Sequence, residues 1–334
     1  MKNRYLKIAV WILAVIVVAI IRHITAWADF YALHIYPVVS GVLSYVAQVV
    51  PFSLEEIIVL IFVALLVIFI VRRKYISILK LAAVIYIWFY VGWGFNYSRS
   101  SILARTGIER ASFDKQQFCD FLDRYSSTID SLFLLYEEPQ ASDIETGMKE
   151  FFSKVPEEYG LARPRSWQHA KKPFLNWLYS GSGVSGFMGP FLCESQVNRD
   201  VLPVELPGTI THEYSHLLGV SSEAEANWWA FQACNAQPSA SLRFCAHYSI
   251  LQFVAANAQN LLQQDEYQAW LASLDPGIID LFEHSCEHWQ KKHFKPLFNV
   301  QRFLQNLMLK SNGIPSGTKN YSEVIGLLIS IPEV

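Results

Sequence analysis

Apolar positions along this chain follow two patterns. Over the first 96 residues they form near-continuous runs; beyond that they recur every three or four residues between polar ones. Residues 6–21 are apolar except for Lys7, and residues 57–71 form an unbroken apolar run of fifteen. Residues 76–95 are apolar and aromatic, interrupted by Lys80 and small residues. Each run is near the length that crosses about 30 Å of hydrocarbon, the second with help from its flanks. The pattern predicts three N-terminal transmembrane helices, with Lys80 snorkelling to an interface and Trp88, Trp93 and Tyr97 in an aromatic belt. Residues 29–53 are also apolar and read as an interfacial or re-entrant helix.

Positive charge orients these spans. Lys2, Arg4 and Lys7 precede the first, Arg72, Arg73 and Lys74 follow the second, and residues 23–71 hold no Lys or Arg. The positive-inside rule then puts the N-terminus and the 72–74 loop in the cytoplasm and everything after about Asn96 outside it. The expectation is a multi-pass cell-membrane protein with a membrane region at 1–96 and an extracytoplasmic domain at 97–334. A cleaved signal peptide is the rival for the first run, since Ala26-Trp27-Ala28 offers an A-x-A site; cleavage there leaves the domain outside.

Past residue 97 the periodicity predicts amphipathic helices at 113–136 and 144–155 and a loop at 160–172. It predicts a glycine-rich hairpin or edge strand at 180–198 and nearly continuous helix from Pro207. The fold class is therefore mainly α with a small β element (α+β). The 334 residues are 52% apolar and 17% charged with net charge −2, and no basic block suggests nucleic acid as a partner. Five cysteines without a CxxC pair indicate neither a zinc ribbon nor a redox motif.

Within the predicted helical part, "THEYSHLLGVSSEAEANWWAFQ" runs from Thr211 to Gln232. His212 and His216 are four residues apart, so on a helix both imidazoles share one face and can bind one zinc ion. Glu213 sits beside them, placed to take a proton from water. Gly219 ends that helix, and Ser222-x-x-Glu225 reads as a capping box that opens the next, giving Glu225 a structural task. Glu223 is left in the first turn as the third ligand, with Asn227 one turn on and able to hold a ligand histidine's free N–H. Glu225 in place of Glu223 is the alternative ligand. A second motif, His284-Ser285-Cys286-Glu287-His288, fits the inverted H-x-x-E-H pattern but lacks a good downstream acid, only Glu323 and Glu333 remaining. Tyr248 and His247 are candidates to donate to a developing oxyanion.

Several stretches resemble a family of bacterial membrane proteins catalogued as a domain of unknown function, with membrane helices followed by an H-E-x-x-H domain. They are "YPVVSGVLSYVAQVVPFSLEE", "WGFNYSRSS", "SGVSGFMGPFLCESQVN", "THEYSHLLGVSSEAEANWWAF" and "YSEVIGLLIS". The H-E-x-x-H and E-x-E-A-N pair is also similar to gluzincin peptidases. That likeness implies His212, His216 and Glu223 as zinc ligands and Glu213 as general base, with Asn227 where many gluzincins have Asp. The expectation is a membrane-anchored, gluzincin-like zinc metallopeptidase that cleaves a peptide or protein substrate at the outer side of the cytoplasmic membrane. Two others remain open: a sensor or partner-binding protein whose zinc only staples the fold, and a hydrolase of lipid or cell-wall amides.

Overall fold

The computed structural model describes residues 2–111, 114–314 and 323–331, with backbone alone for 2–8. The side chains of Lys2, Arg4 and Lys7, and residues Phe113 and Glu333, thus lie outside what is described. The chain begins with α1 (Lys2–Ile21), then α2 (Thr25–Phe30), a π-helical turn at Tyr31–Ile35 and α3 (Tyr36–Gln48), which run on as one helix. Two apolar helices follow, α4 (Leu54–Val71) and α5 (Tyr75–Gly92). Among the described residues, three helices are long and apolar enough to cross a membrane: Thr25–Gln48, Leu54–Val71 and Tyr75–Gly92. The second and third coincide with expected spans. The first is the stretch read as interfacial or re-entrant. The expected first span falls in α1, whose described apolar part, Ala9–Ile21, is shorter.

α1 and α4 both pack against α5. The domain lies at one end of these three helices, near Arg22, Ser53 and Gly92, and the Arg72–Lys74 turn lies at the far end of the α4–α5 hairpin. The domain end of α4 is fixed by buried carboxylates. Glu55 accepts the backbone N–H groups of Phe191 (3.2 Å) and Leu192 (2.8 Å), and Glu56 accepts those of Phe174 (2.8 Å) and Leu175 (3.0 Å). The Glu55 N–H in turn donates to Glu194 at 2.9 Å, and Lys171 pairs with Glu194 at 3.2 Å while donating to the carbonyls of Ala47 and Phe52. Two acids in the first turn also suit the positive end of the helix dipole.

The 25–48 helix docks on the domain instead of standing free of it. Tyr36 donates to the Leu217 carbonyl at 2.8 Å, Gln168 to Ser44 at 3.0 Å and Gln48 to the His169 carbonyl at 2.9 Å. Its polar Ser40 and Ser44 are buried, and its apolar Val38, Val42 and Val46 are exposed. That is the reverse of a helix in water. Ala26-Trp27-Ala28 lies inside α2, with Ala28 buried.

After a 3₁₀ turn at Gly94–Ser98 come α6 (Ile102–Thr106), α7 (Lys115–Phe133), capped by Asp114, and α8 (Ala141–Lys154), close to the expected 113–136 and 144–155. α9 (Asn176–Ser182) leads into the hairpin β1 (Gly186–Gly189) and β2 (Glu194–Val197), antiparallel with Gly186 opposite Val197. From there the chain is helical: α10 (Leu206–Leu217), α11 (Glu223–Asn235), α12 (Ala240–Leu261), α13 (Gln264–Ser273), α14 (Pro276–Lys292), α15 (Lys295–Ser311) and α16 (Val324–Ser330). The core surrounds α10 and α11, where Trp228 and Trp229 are wholly buried and α8, α12, α16 and the hairpin pack on the pair. α10 is buried on nearly every side, which places it centrally. All five cysteines are free thiols.

Candidate metal centre

α10 and α11 form a helical hairpin joined by five residues, 218–222. Gly219 makes the turn possible: its φ is +100°, a backbone open mainly to glycine, and a Cβ there would press on the Tyr36 ring at 3.2 Å. Ser222 caps α11 by accepting the Glu225 N–H at 3.3 Å. The tight turn folds the first residue of α11 back onto the last turns of α10.

The result brings three of the expected residues together. The Nε2 atoms of His212 and His216 are 3.1 Å apart, and the Glu223 Oε2 lies 3.2 Å from the first and 3.4 Å from the second. A tetrahedral ion with bonds of about 2.0–2.1 Å separates its ligand atoms by roughly 3.3 Å. The donor set therefore fits a zinc ion. The outer ring nitrogens are also held. His216 Nδ1 donates to the Val220 carbonyl at 2.7 Å, and His212 Nδ1 donates to the Asn227 side-chain oxygen at 2.8 Å. A carbonyl can only accept, so each Nδ1 carries a proton and each Nε2 is the nitrogen turned to the centre, able to bind a metal once it gives up any proton of its own. Among the described residues no other trio of His, Cys, Asp or Glu converges in this way.

Charge inside the cluster is strongly coupled. Burial opposes ionisation of Glu223, but His216 and His212 outweigh it and hold the carboxyl well below its usual range. Burial likewise disfavours a charged His216, and the Glu223 carboxylate overrides it, pushing the imidazole up to about 9.

Glu213 is buried beside the trio without joining it. The Met188 N–H donates to its carboxylate, and Gly186 lies against it: a Cβ at 186 would meet the Glu213 Cγ at 2.6 Å. Burial raises its pKa, with the two histidines opposing and Glu223 reinforcing the rise. Glu225 points elsewhere. Its carboxylate pairs with Arg105 and accepts from Trp229 Nε1 at 3.3 Å, so it does not replace Glu223.

The cluster opens into a cavity of about 1410 Å³ lined by β1, by Tyr248 on α12 and by the inner face of α15. That exceeds the roughly 300–1,000 Å³ of small-molecule pockets. Tyr248 lines it with its hydroxyl donated to the Leu281 carbonyl at 3.3 Å. His247, one residue round the helix, turns away: it donates to the Arg243 carbonyl at 2.9 Å, packs on Phe231 and does not line the cavity. The inverted motif does not assemble either. His284 is exposed, Glu287 pairs with Lys291, and His288 bonds the Asp200 carbonyl. Ser285 and Trp289 on the same helix bind Glu205, at the start of α10, at 2.7 and 3.0 Å.

Trp93 and Tyr97 correct the reading of the aromatic belt. Trp93 is buried, donates to the His216 carbonyl at 3.0 Å and meets that imidazole edge-on. Tyr97 is half-buried; desolvation raises its pKa, and the nearby charge of Glu223 is the next largest cause. Both wall the site. Glu55, Lys171 and Glu194 were not singled out by sequence reasoning, which marked the glycine-rich segment around Gly186–Cys193 only as a strand for an extended substrate. The paired acids opening an apolar helix in "FSLEE" are the one local sign of the buried network.

Residues 31–329 match a family model described as a protein of unknown function (DUF3810), and the chain belongs to that family. No curated protein and no solved structure matches it.

Proposed function

We propose that this member of the family is a membrane-anchored zinc-dependent peptidase acting at the outer side of the cytoplasmic membrane. The observation that carries the reading is the spacing of the three ligand atoms at 3.1, 3.2 and 3.4 Å, with both imidazoles pinned from behind. Three protein ligands leave one position open, as in catalytic zinc sites; structural sites close with four. Zinc held there would supply a Lewis acid for the scissile carbonyl and lower the pKa of its water toward neutrality.

The remaining steps belong to the chain's own groups. Glu213 accepts a proton from the attacking water as the new C–O bond forms, then passes it to the amine nitrogen as the C–N bond breaks. The Met188 N–H and the Gly186 backbone hold Glu213 in place. β1 pairs with β2 on one edge and lines the cavity with Gly186 and Met188, an arrangement suited to an extended peptide laid along it. Tyr248 serves the developing oxyanion on release from the Leu281 carbonyl.

For topology, we read α1, α4 and α5 as the spans and the 25–48 helix as lying along the domain, because its polar side is docked there. The Arg72–Lys74 turn, at the end remote from the domain, then faces the cytoplasm and the domain lies outside.

The test compares wild type with Glu213→Gln in the full-length chain, both loaded with zinc, on a peptide mixture. The variant should keep its zinc and fold and lose about 10²–10⁴-fold in hydrolysis. Equal cleavage by both, or none by either, overturns the reading; none by either favours a metal that staples a partner-binding fold.

A further inference from the structure

α15 is built inside out for a helix in water. Its sequence KPLFNVQRFLQNLMLKS puts Val300, Phe303, Leu304 and Leu307 on one stripe, spaced i, i+3, i+4, i+7. The stripe is exposed at 54%, 67%, 55% and 55%; Phe303 and Leu307 point away from the cavity, and Val300 and Leu304 stand at its rim. The inner side carries Gln301 and Gln305, bonded to each other at 3.1 Å, toward the cavity over His212 and Glu213. Phe294, at 62%, extends the patch. Contiguous exposed apolar surface marks an interaction site, and here the fold indicates with what.

Both ends of α15 are tied to the places where the apolar helices meet the domain. At its C-terminus, Arg22, just past α1, donates to the Ser311 carbonyl, and Tyr90, in the last turn of α5, donates to Asn312 at 2.7 Å. At its N-terminus the Phe294 N–H bonds the Gly181 carbonyl on α9 at 2.9 Å. α9 follows directly on Phe174 and Leu175, whose N–H groups are held by Glu56 in the first turn of α4. Trp177, on α9 beside that anchor, is 67% exposed. α15 therefore bridges the emergence points of α4 on one side and of α1 and α5 on the other. It carries Lys295, Arg302 and Lys310 and no acid, and Lys291 and Lys292 precede it.

We infer that α15 lies in the plane of the membrane interface, its Val300–Leu307 stripe among the acyl chains and Lys295 and Lys310 at anionic headgroups. The occupant of the exposed face is the bilayer that holds α4 and α5. The inference rests on the membrane reading above and not on the zinc. Because the inner face of α15 walls the cavity, the site opens at the membrane surface and takes a polypeptide lying at or leaving the bilayer.

The test uses the full chain in nanodiscs of phosphatidylcholine and phosphatidylglycerol, with Cys119→Ser and Cys286→Ser removing the less buried thiols. Nitroxide labels are placed by Phe303→Cys or Leu304→Cys on α15, by Val63→Cys on α4 and by Glu150→Cys on α8. Labels at 303 and 304 should collide with oxygen more than with a water-soluble nickel chelate, as the label at 63 does, and opposite to that at 150. If 303 and 304 behave like 150, α15 faces water and the inference fails. If both reagents are shut out, protein covers the face, and it fails equally. If 63 also behaves like 150, the membrane reading falls with it.

Discussion

His212 Nδ1 donates to the Asn227 side-chain oxygen at 2.8 Å, across the turn that joins α10 to α11. That contact fixes which ring nitrogen faces the candidate centre and ties the helix bearing two of the proposed ligands to the helix bearing the third. Such outer partners typically contribute about 10–100-fold to metal affinity. Asn227→Ala should therefore weaken zinc binding by that factor in competition with a chelator. An unchanged affinity removes Asn227 from the account.

Gly186→Ala tests how Glu213 is held. The added methyl would fall 2.6 Å from Glu213 Cγ and 2.7 Å from Oε1, so the carboxylate has to move. Misplacement of a catalytic group by about 1 Å can cost on the order of 10²-fold in rate. Peptide hydrolysis should fall by that amount while zinc content stays at the wild-type level. Full activity in the variant would show that Glu213 needs no such seat.

Glu225 and Glu223 are two residues apart and should behave oppositely. Glu225 pairs with Arg105 where both side chains are under 10% exposed, at 7% and 9%. Glu225→Ala strands a buried guanidinium, a loss of about 3–5 kcal/mol in comparable cases. Thermal unfolding of the detergent-solubilised chain should drop accordingly, with zinc still bound. A stable variant that has lost its zinc would assign Glu225 to the metal.

His247 gives a pH dependence separate from the site. Burial lowers its pKa below the ordinary 6.5, so the folded chain keeps it neutral. Below pH 6.5 the unfolded chain takes up a proton that the folded chain refuses. The stability is complete above about pH 6.5 and is lost as pH falls toward the folded pKa. The melting temperature should decline more steeply between pH 7 and pH 5 in wild type than in His247→Phe; parallel declines would contradict this.

What the sequence disclosed was local. His212 and His216 share a face because four residues make about one helical turn, and Glu223 returns to them because Gly219 ends one helix and Ser222 starts the next within five residues. The two long apolar runs, α4 and α5, were legible for the same reason. Features that depend on distant partners were not. Lys171 reaches the Ala47 carbonyl across 124 residues, and Trp93 reaches the His216 carbonyl across 123. An aromatic run at the end of a span looks the same whether lipid or an imidazole lies beside it. The 25–48 helix escaped a firm assignment because polar residues such as Ser44 and Gln48 meet Gln168 and His169 only once the domain has folded.

The zinc content of the purified full-length chain tests the central claim most directly. Elemental analysis should find one zinc per chain in wild type and in Glu225→Ala, and none in His212→Ala or His216→Ala. Glu223→Gln should bind far more weakly than wild type. Full zinc occupancy in a chain lacking both His212 and His216 would contradict the account.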